Sequence, residues 1–222
     1  MDLLGYLSSR LVLSESRKPG QLPFITISRE TGCGAINIAK ILISELKKRG
    51  QTWKYIDKEV LHEASKKLKI GQEKINYVFE AEKKTHVDDI LSALSNRYYK
   101  SDKAVRKTIS EVVKHYAEEG QVIIVGRGGV AITAGMEKGL HIKLVAPESW
   151  RVQSLMDRKQ KTKEEMAAFI KENDMKREKL LQDFFKKTPG EFCYDIVINS
   201  ASFSEKQVAE IILDALHKRE LI

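Results

Sequence analysis

Phe24-Ile25-Thr26-Ile27-Ser28-Arg29-Glu30-Thr31-Gly32-Cys33-Gly34-Ala35-Ile36-Asn37-Ile38-Ala39 is the stretch on which the reading of this chain turns. A β-branched apolar run, Phe24 to Ser28, is followed by a turn with two glycines and then by apolar residues at helical spacing, Ile36, Ala39, Ile43 and Leu46. That order predicts strand, tight loop, helix. Glycines in such a loop let backbone N–H groups turn toward an oxyanion, and the helix adds the positive end of its dipole. The motif G-x-x-x-x-G-K-[ST] would put glycine at position 29, lysine at 35 and serine or threonine at 36. The chain has Arg29, Ala35 and Ile36 there, and only Gly34 fits.

Outward from this stretch, strands and helices alternate. Trp53–Ile56 reads as a second strand closed by Asp57, Gln121–Val125 as a third followed by Gly126-Arg127-Gly128-Gly129, Leu140–Val145 as a fourth, and Cys193–Asn199 as a fifth. Lys58 to Glu119 is helical in period, with breaks expected near Gly71, His86 and Ser101. Glu148 to Lys187 is helical again and densely charged, and Ser204 with Gln207 forms a capping box for a last helix to Lys218. Strands separated by helices predict an α/β, doubly wound parallel sheet with its ligands at the C-terminal strand edge. Residues immediately after the strands are therefore the ones to interrogate: Ser28, Arg29 and Glu30; Asp57; Arg127; Glu148, Trp150 and Arg151.

Composition narrows the partners. The 222 residues are 42% hydrophobic, and no apolar run approaches the roughly 20 residues of a membrane helix. Met1–Leu13 carries Leu3, Leu4, Leu7 and Leu11 at helical spacing, with Asp2 where a signal peptide would be basic, so a cytoplasmic protein with an N-terminal amphipathic helix is expected. Its leucine stripe favours a homodimer contact. A net charge of +8 favours anionic partners. The Lys-rich stretches lie beside Glu on helical patterns and lack interleaved aromatics, which argues against nucleic acid. Cys33 and Cys193 are too few for a disulfide framework, and neither they nor the five histidines have metal-ligand spacing, so no protein metal site is expected.

Taken together, Ile27-Ser28-Arg29-Glu30-Thr31-Gly32-Cys33-Gly34, Tyr55-Ile56-Asp57-Lys58-Glu59, Ile124-Val125-Gly126-Arg127-Gly128, Leu144-Val145-Ala146-Pro147-Glu148-Ser149-Trp150-Arg151 and Tyr194-Asp195-Ile196-Val197-Ile198-Asn199 resemble, in order, the blocks of the cytidylate kinase-like family of P-loop proteins. The resemblance implies a three-layer P-loop NTPase-type fold with about five parallel strands. It would comprise an N-terminal helix and linker over 1–22 and a kinase-like domain over 23–222, with a helical acceptor-binding insertion at 58–119 and a helical lid at 157–179. It further implies ATP and Mg²⁺ as cofactors and a nucleoside monophosphate, CMP-like, or a related small molecule as phosphoryl acceptor. On this resemblance Ser28, Arg29, Glu30, Thr31, Gly32, Cys33, Gly34, Ala35, Ile36 and Asn37 hold the nucleotide, Asp57 and Arg127 the acceptor, and Arg151, Arg158, Arg177 and Asp174 form the catalytic set.

The family often lacks the loop lysine, resembling Gly-Ser-Gly-Gly-Arg-Glu, but here Ile36 and Asn37 replace that Arg and Glu. Arg29 is expected to supply the absent charge and Asn37 a metal or water ligand. Asp57 reads equally as the N-cap of a helix from Lys58. An anion-binding role for Arg127 is favoured over a structural salt bridge, one or two of the three later arginines are expected to act, and Glu30 is expected to pair with Arg29 or a neighbouring lysine. Cys33 is read as a small residue tolerated in a tight loop. The alternative function is a degenerate kinase that binds a nucleotide or phosphate and transfers nothing.

Overall fold

The computed structural model describes residues 22–57, 99–185 and 193–222. Five parallel strands form one sheet: β1 (Phe24–Arg29), β2 (Lys54–Ile56), β3 (Val122–Val125), β4 (Gly139–Val145) and β5 (Ile196–Asn199), in the spatial order β2-β3-β1-β4-β5. The central strand, β1, pairs on one side with β3 from Phe24↔Val122 to Ile27↔Val125 and on the other with β4 from Phe24↔Gly139 to Arg29↔Leu144. Because β3 and β4 lie on opposite sides of β1, the loops after these strands diverge and leave a crevice at the carboxyl edge.

Alternation along the strands builds two cores. Ile25 and Ile27, with Ile123, Val125, Ile142 and Ile198, face helix α1 (Ala35–Lys48) through Ile38, Leu42 and Leu46 and the last helix through Val208, Ile212 and Leu216. Phe24, Val122 and Ile124 face the other way, onto Ile109, Val112, Val113 and Tyr116 of α2 (Tyr99–Glu119) and Ile132 of the short α3 (Gly129–Ile132). Each fully buried aliphatic side chain contributes about 1.5–3 kcal/mol, so this two-sided burial fixes strand register. A third, smaller cluster, Val152, Leu155, Met166 and Ile170, joins α4 (Glu148–Lys159) to α5 (Lys163–Phe185). The last helix, α6 (Glu205–Lys218), begins in the capping box read from the sequence, with the Ser204 hydroxyl accepting from the Gln207 N–H and Gln207 Oε1 from the Ser204 N–H.

Several boundaries differ from expectation. Strand β3 starts one residue late because Gln121 turns at φ 48° and donates its N–H to Pro23. The fifth strand starts at Ile196, where β4 pairing begins, and not at Cys193. The break expected near Ser101 is absent, since α2 runs through it from Tyr99. The amphipathic helix over 1–13, the helical residues 58–98 with the breaks at Gly71 and His86, and the capping role of Asp57 toward Lys58 lie outside the described residues. Among the described residues no helix is long and apolar enough to cross a membrane.

Candidate functional site

The loop Glu30–Gly34 leaves β1 and enters α1 through two left-handed glycines. Gly32 sits at φ 103°, where an added Cβ would come within 3.1 Å of Arg151 Cβ, and Gly34 is the helix N-cap at φ 70° with no side-chain cap. The first intrahelical bond is Ile38 N–H to Gly34 O at 3.1 Å, so the N–H groups of Ala35, Ile36 and Asn37 stand at the open end of α1. In front of them lies a cleft of about 380 Å³, lined by residues 29–37, by Leu155, Arg158 and Lys159 of α4 and by Phe169 and Arg177 of α5.

Arginines from the α4–α5 pair reach the loop. Arg151, only 7% exposed, donates from Nε to Ala146 O at 2.9 Å and from Nη1 to Thr31 O at 3.3 Å and Asp174 Oδ2 at 2.6 Å. Its Nε also lies 3.4 Å from Glu30 Oε2, so Glu30 pairs with Arg151 and not with Arg29 or a lysine as expected. Asp174 Oδ1 accepts from both the N–H and the hydroxyl of Thr31, each at 2.7 Å, and Arg177 Nη1 donates to the Thr31 hydroxyl oxygen at 2.7 Å. Arg158 donates to Gly32 O at 3.2 Å and Ser154 Oγ at 2.5 Å, and no carboxylate pairs with it among the described residues. Arg151 and Arg158, seven apart, thus meet consecutive carbonyls of the loop, but Arg151 is a buried brace and Arg158 an exposed cation.

A second cluster forms at the ends of β1, β2 and β3. Arg127 Nε lies 3.0 Å from Asp57 Oδ1 and donates to Asp57 O at 3.1 Å, so the ion pair that the sequence reading set second to anion binding is present. The Arg29 guanidinium lies against Gly126, and Arg29 also lines the cleft. Burial, then Arg177, pulls its pKa down to about 9 against the opposing pull of Asp57. Arg177 is lowered in the same sense by burial, with Asp174 and Asp57 opposing. Three arginines therefore share Asp57, and a further negative charge would relieve their mutual repulsion.

Other predicted residues have local partners. Ser28 is buried, and Asn37 donates to Glu205 Oε1 at 3.2 Å. Burial raises the Cys33 thiol to about 11, with Ser200 opposing. Among the described residues no group of three His, Cys, Asp or Glu side chains could hold a metal. Sequence reading missed Lys159 and Phe169. It also missed a second cavity of about 200 Å³, shared by Cys33 and Arg158 with Trp150, Ser200, Phe203 and Glu205. Residues 200–205 directly follow β5, so the rule applied after the first four strands would have found them.

A glycine loop from the central strand of a β2-β3-β1-β4-β5 sheet into an uncapped helix, with arginines reaching over it from a helical pair, defines a kinase-like P-loop protein. The chain belongs to the cytidylate kinase-like family, whose description matches residues 24–202. A solved structure of an uncharacterized protein from Eubacterium ventriosum superposes with a TM-score of 0.65 at 17% identity, over 89% of this chain and 99% of that one. The shikimate kinase from Acinetobacter baumannii, solved with shikimate, superposes with a TM-score of 0.49 at 14% identity, over 91% and 97%. A curated relative, the uronate isomerase of Corynebacterium glutamicum, is 25% identical over 133 residues, 60% of this chain. The match spans a quarter of that protein's length.

Proposed function

We propose that this protein is a phosphotransferase that moves the γ-phosphoryl group of ATP to a nucleoside monophosphate, CMP-like, or a related small acceptor. The observation that carries the reading is Arg158, a cation without a carboxylate partner among the described residues, bonded to the loop in front of the uncapped end of α1. Phosphoryl transfer needs mainly positioning and charge stabilisation, which N–H groups and arginines provide.

In this reading the N–H groups of Ala35, Ile36 and Asn37 cradle the donor phosphates, Arg158 and Arg177 stabilise charge on the transferred group, and Arg151 positions the loop. Asp57, Arg127 and Arg29 bind the acceptor, whose phosphate relieves the crowding of guanidinium groups. Residues 157–179 act as a lid and residues 58–119 as the acceptor-side insertion. Mg²⁺ fits a site with so few carboxylates because it is held chiefly by phosphate oxygens and water, with Asn37 the side chain that would hold it. When bound, it neutralises charge on the phosphates. Homodimerisation through the leucine stripe and a cytoplasmic location belong to the same reading; removing residues 1–17 should then halve the solution mass.

The test is phosphorus NMR of the protein with ATP, Mg²⁺ and a panel of nucleoside monophosphates, beside Arg158→Ala. ADP and a nucleoside diphosphate should appear, and the variant should lose them. Ala35 and Ile36, which remove the loop lysine and hydroxyl, favour a second reading, a binding protein without transfer. It predicts that ATP raises the melting temperature while no diphosphate forms.

A further inference from the structure

We infer that Thr31 is a positioning residue whose hydroxyl sets Arg177 between the phosphate loop and the Asp57–Arg127 pair, where donor and acceptor would meet. The inference rests on the phosphotransferase reading. Thr31 is only 4% exposed, and its N–H, carbonyl and hydroxyl all bond to the α4–α5 pair. The N–H and the hydroxyl both donate to Asp174 Oδ1 at 2.7 Å, the carbonyl accepts from Arg151 Nη1 at 3.3 Å, and Oγ1 accepts from Arg177 Nη1 at 2.7 Å. Neither donor of Thr31 is left for a phosphate, so its part in the site lies elsewhere.

Arg177 has reason to turn away from this place. It stands near Arg29 and Arg127, and its side chain, 33% exposed, has solvent to turn into. Its other contacts are looser, 3.5 Å to Arg29 O and 3.6 Å to Asp174 Oδ1. A carboxylate attracts a guanidinium over a wide range of angles. The Thr31 hydroxyl, locked by donating to Asp174, presents its lone pairs in one direction and so fixes the arginine, which lines the cleft at the open end of α1. A buried threonine needs partners in any case. That accounts for its two bonds to Asp174, but not for an arginine that also faces Asp57.

The test is steady-state kinetics of phosphoryl transfer from ATP to a nucleoside monophosphate in the full chain, Thr31→Val, Thr31→Ser, Arg177→Ala and the double variant T31V/R177A. Thr31→Val keeps both backbone bonds and removes the hydroxyl, so kcat should fall about tenfold, the loss of one charge-assisted hydrogen bond, while KM for ATP stays within about twofold. Thr31→Ser should restore most of the rate. On the Arg177→Ala background, Thr31→Val should lower the rate no further, since the hydroxyl acts through the arginine. Arg177→Lys, which keeps the charge and loses the directed fork, should also fall about tenfold, and full rate in it overturns the inference whether or not Thr31→Val folds. Wild-type kcat in Thr31→Val overturns it as well and leaves the phosphotransferase reading standing. So do losses that add in the double variant or that Thr31→Ser fails to restore, because Thr31 would then seat the loop and not the arginine. If the wild type transfers to no monophosphate, the phosphotransferase reading itself falls, and this inference with it.

Discussion

The loops after β1 and β3 start from the same local design and end differently. Both leave a buried strand, both enter a helix through a left-handed glycine, Gly34 at φ 70° and Gly128 at φ 70°, and neither helix has a side-chain cap. The first opens onto a cleft. The second is filled: Arg29 lies against Gly126, the Phe184 ring against Gly128 and Ile124 against Gly129, over a helix of only four residues. A strand–glycine–helix passage is therefore no phosphate cradle by itself. What is packed against it decides whether the backbone N–H groups at the helix start are open to a ligand.

Four experiments would break or sharpen this contrast. The largest effect belongs to the filled loop. Asp57→Ala leaves Arg29, Arg127 and Arg177 without their shared carboxylate and should cost about 3 kcal/mol in urea denaturation, as expected for breaking a buried ion pair. A midpoint equal to wild type would show that the arginines do not depend on it. Next, Gly126→Ala combines the left-handed penalty with displacement of Arg29 and should cost roughly 2 kcal/mol, against about 1 kcal/mol for Gly34→Ala, where the obstructing Glu205 side chain can swing outward. Equal losses would erase the distinction between the loops.

A smaller effect concerns the open loop. With its pKa near 11, Cys33 is thiolate in only about one molecule in a thousand at pH 8, so Cys193 should react first with a thiol-specific disulfide reagent. Faster modification of Cys33 would mean that the loop opens far wider than its cleft suggests. The smallest effect lies at the opposite end of the sheet. His141 accepts or donates at Thr26 Oγ1, 2.8 Å away, and burial lowers its pKa below 6.5, with Arg219 adding and Asp195 opposing. The unfolded chain then binds a proton that the native state refuses, so stability should fall as pH drops below about 6.5. His141→Gln should flatten that slope while leaving both loops intact.

The sheet was legible because its signals are local. The β-branched run before Gly32 and Gly34, the spacing of strands and helices and the Ser204–Gln207 box each sit within a few residues of what they specify. The site was legible only as a set of positions. Arg29 gives no sequence sign that it turns toward Gly126, which lies 97 positions on, and Asp174 meets Thr31 across 143. Helix α5 contributes Asp174 and Arg177 from a charged pattern that reads equally as a solvated face, and Lys159 reads as an ordinary helix end. Arg151 reads in the sequence as one of the arginines on the transferring phosphoryl, and nothing there signals its burial, which makes it a brace and depends on four oxygens brought together by the fold.

Val152, Leu155, Met166 and Ile170 give the α4–α5 pair an apolar cluster separate from the two cores of the sheet. In hydrogen exchange such a pair behaves as its own cooperative unit. Its amides would share one opening free energy, lower than that of β1, and would be the first to gain protection when an added anion bridges the open end of α1 and Arg158. Exchange kinetics of this pair would then report occupancy of the cleft.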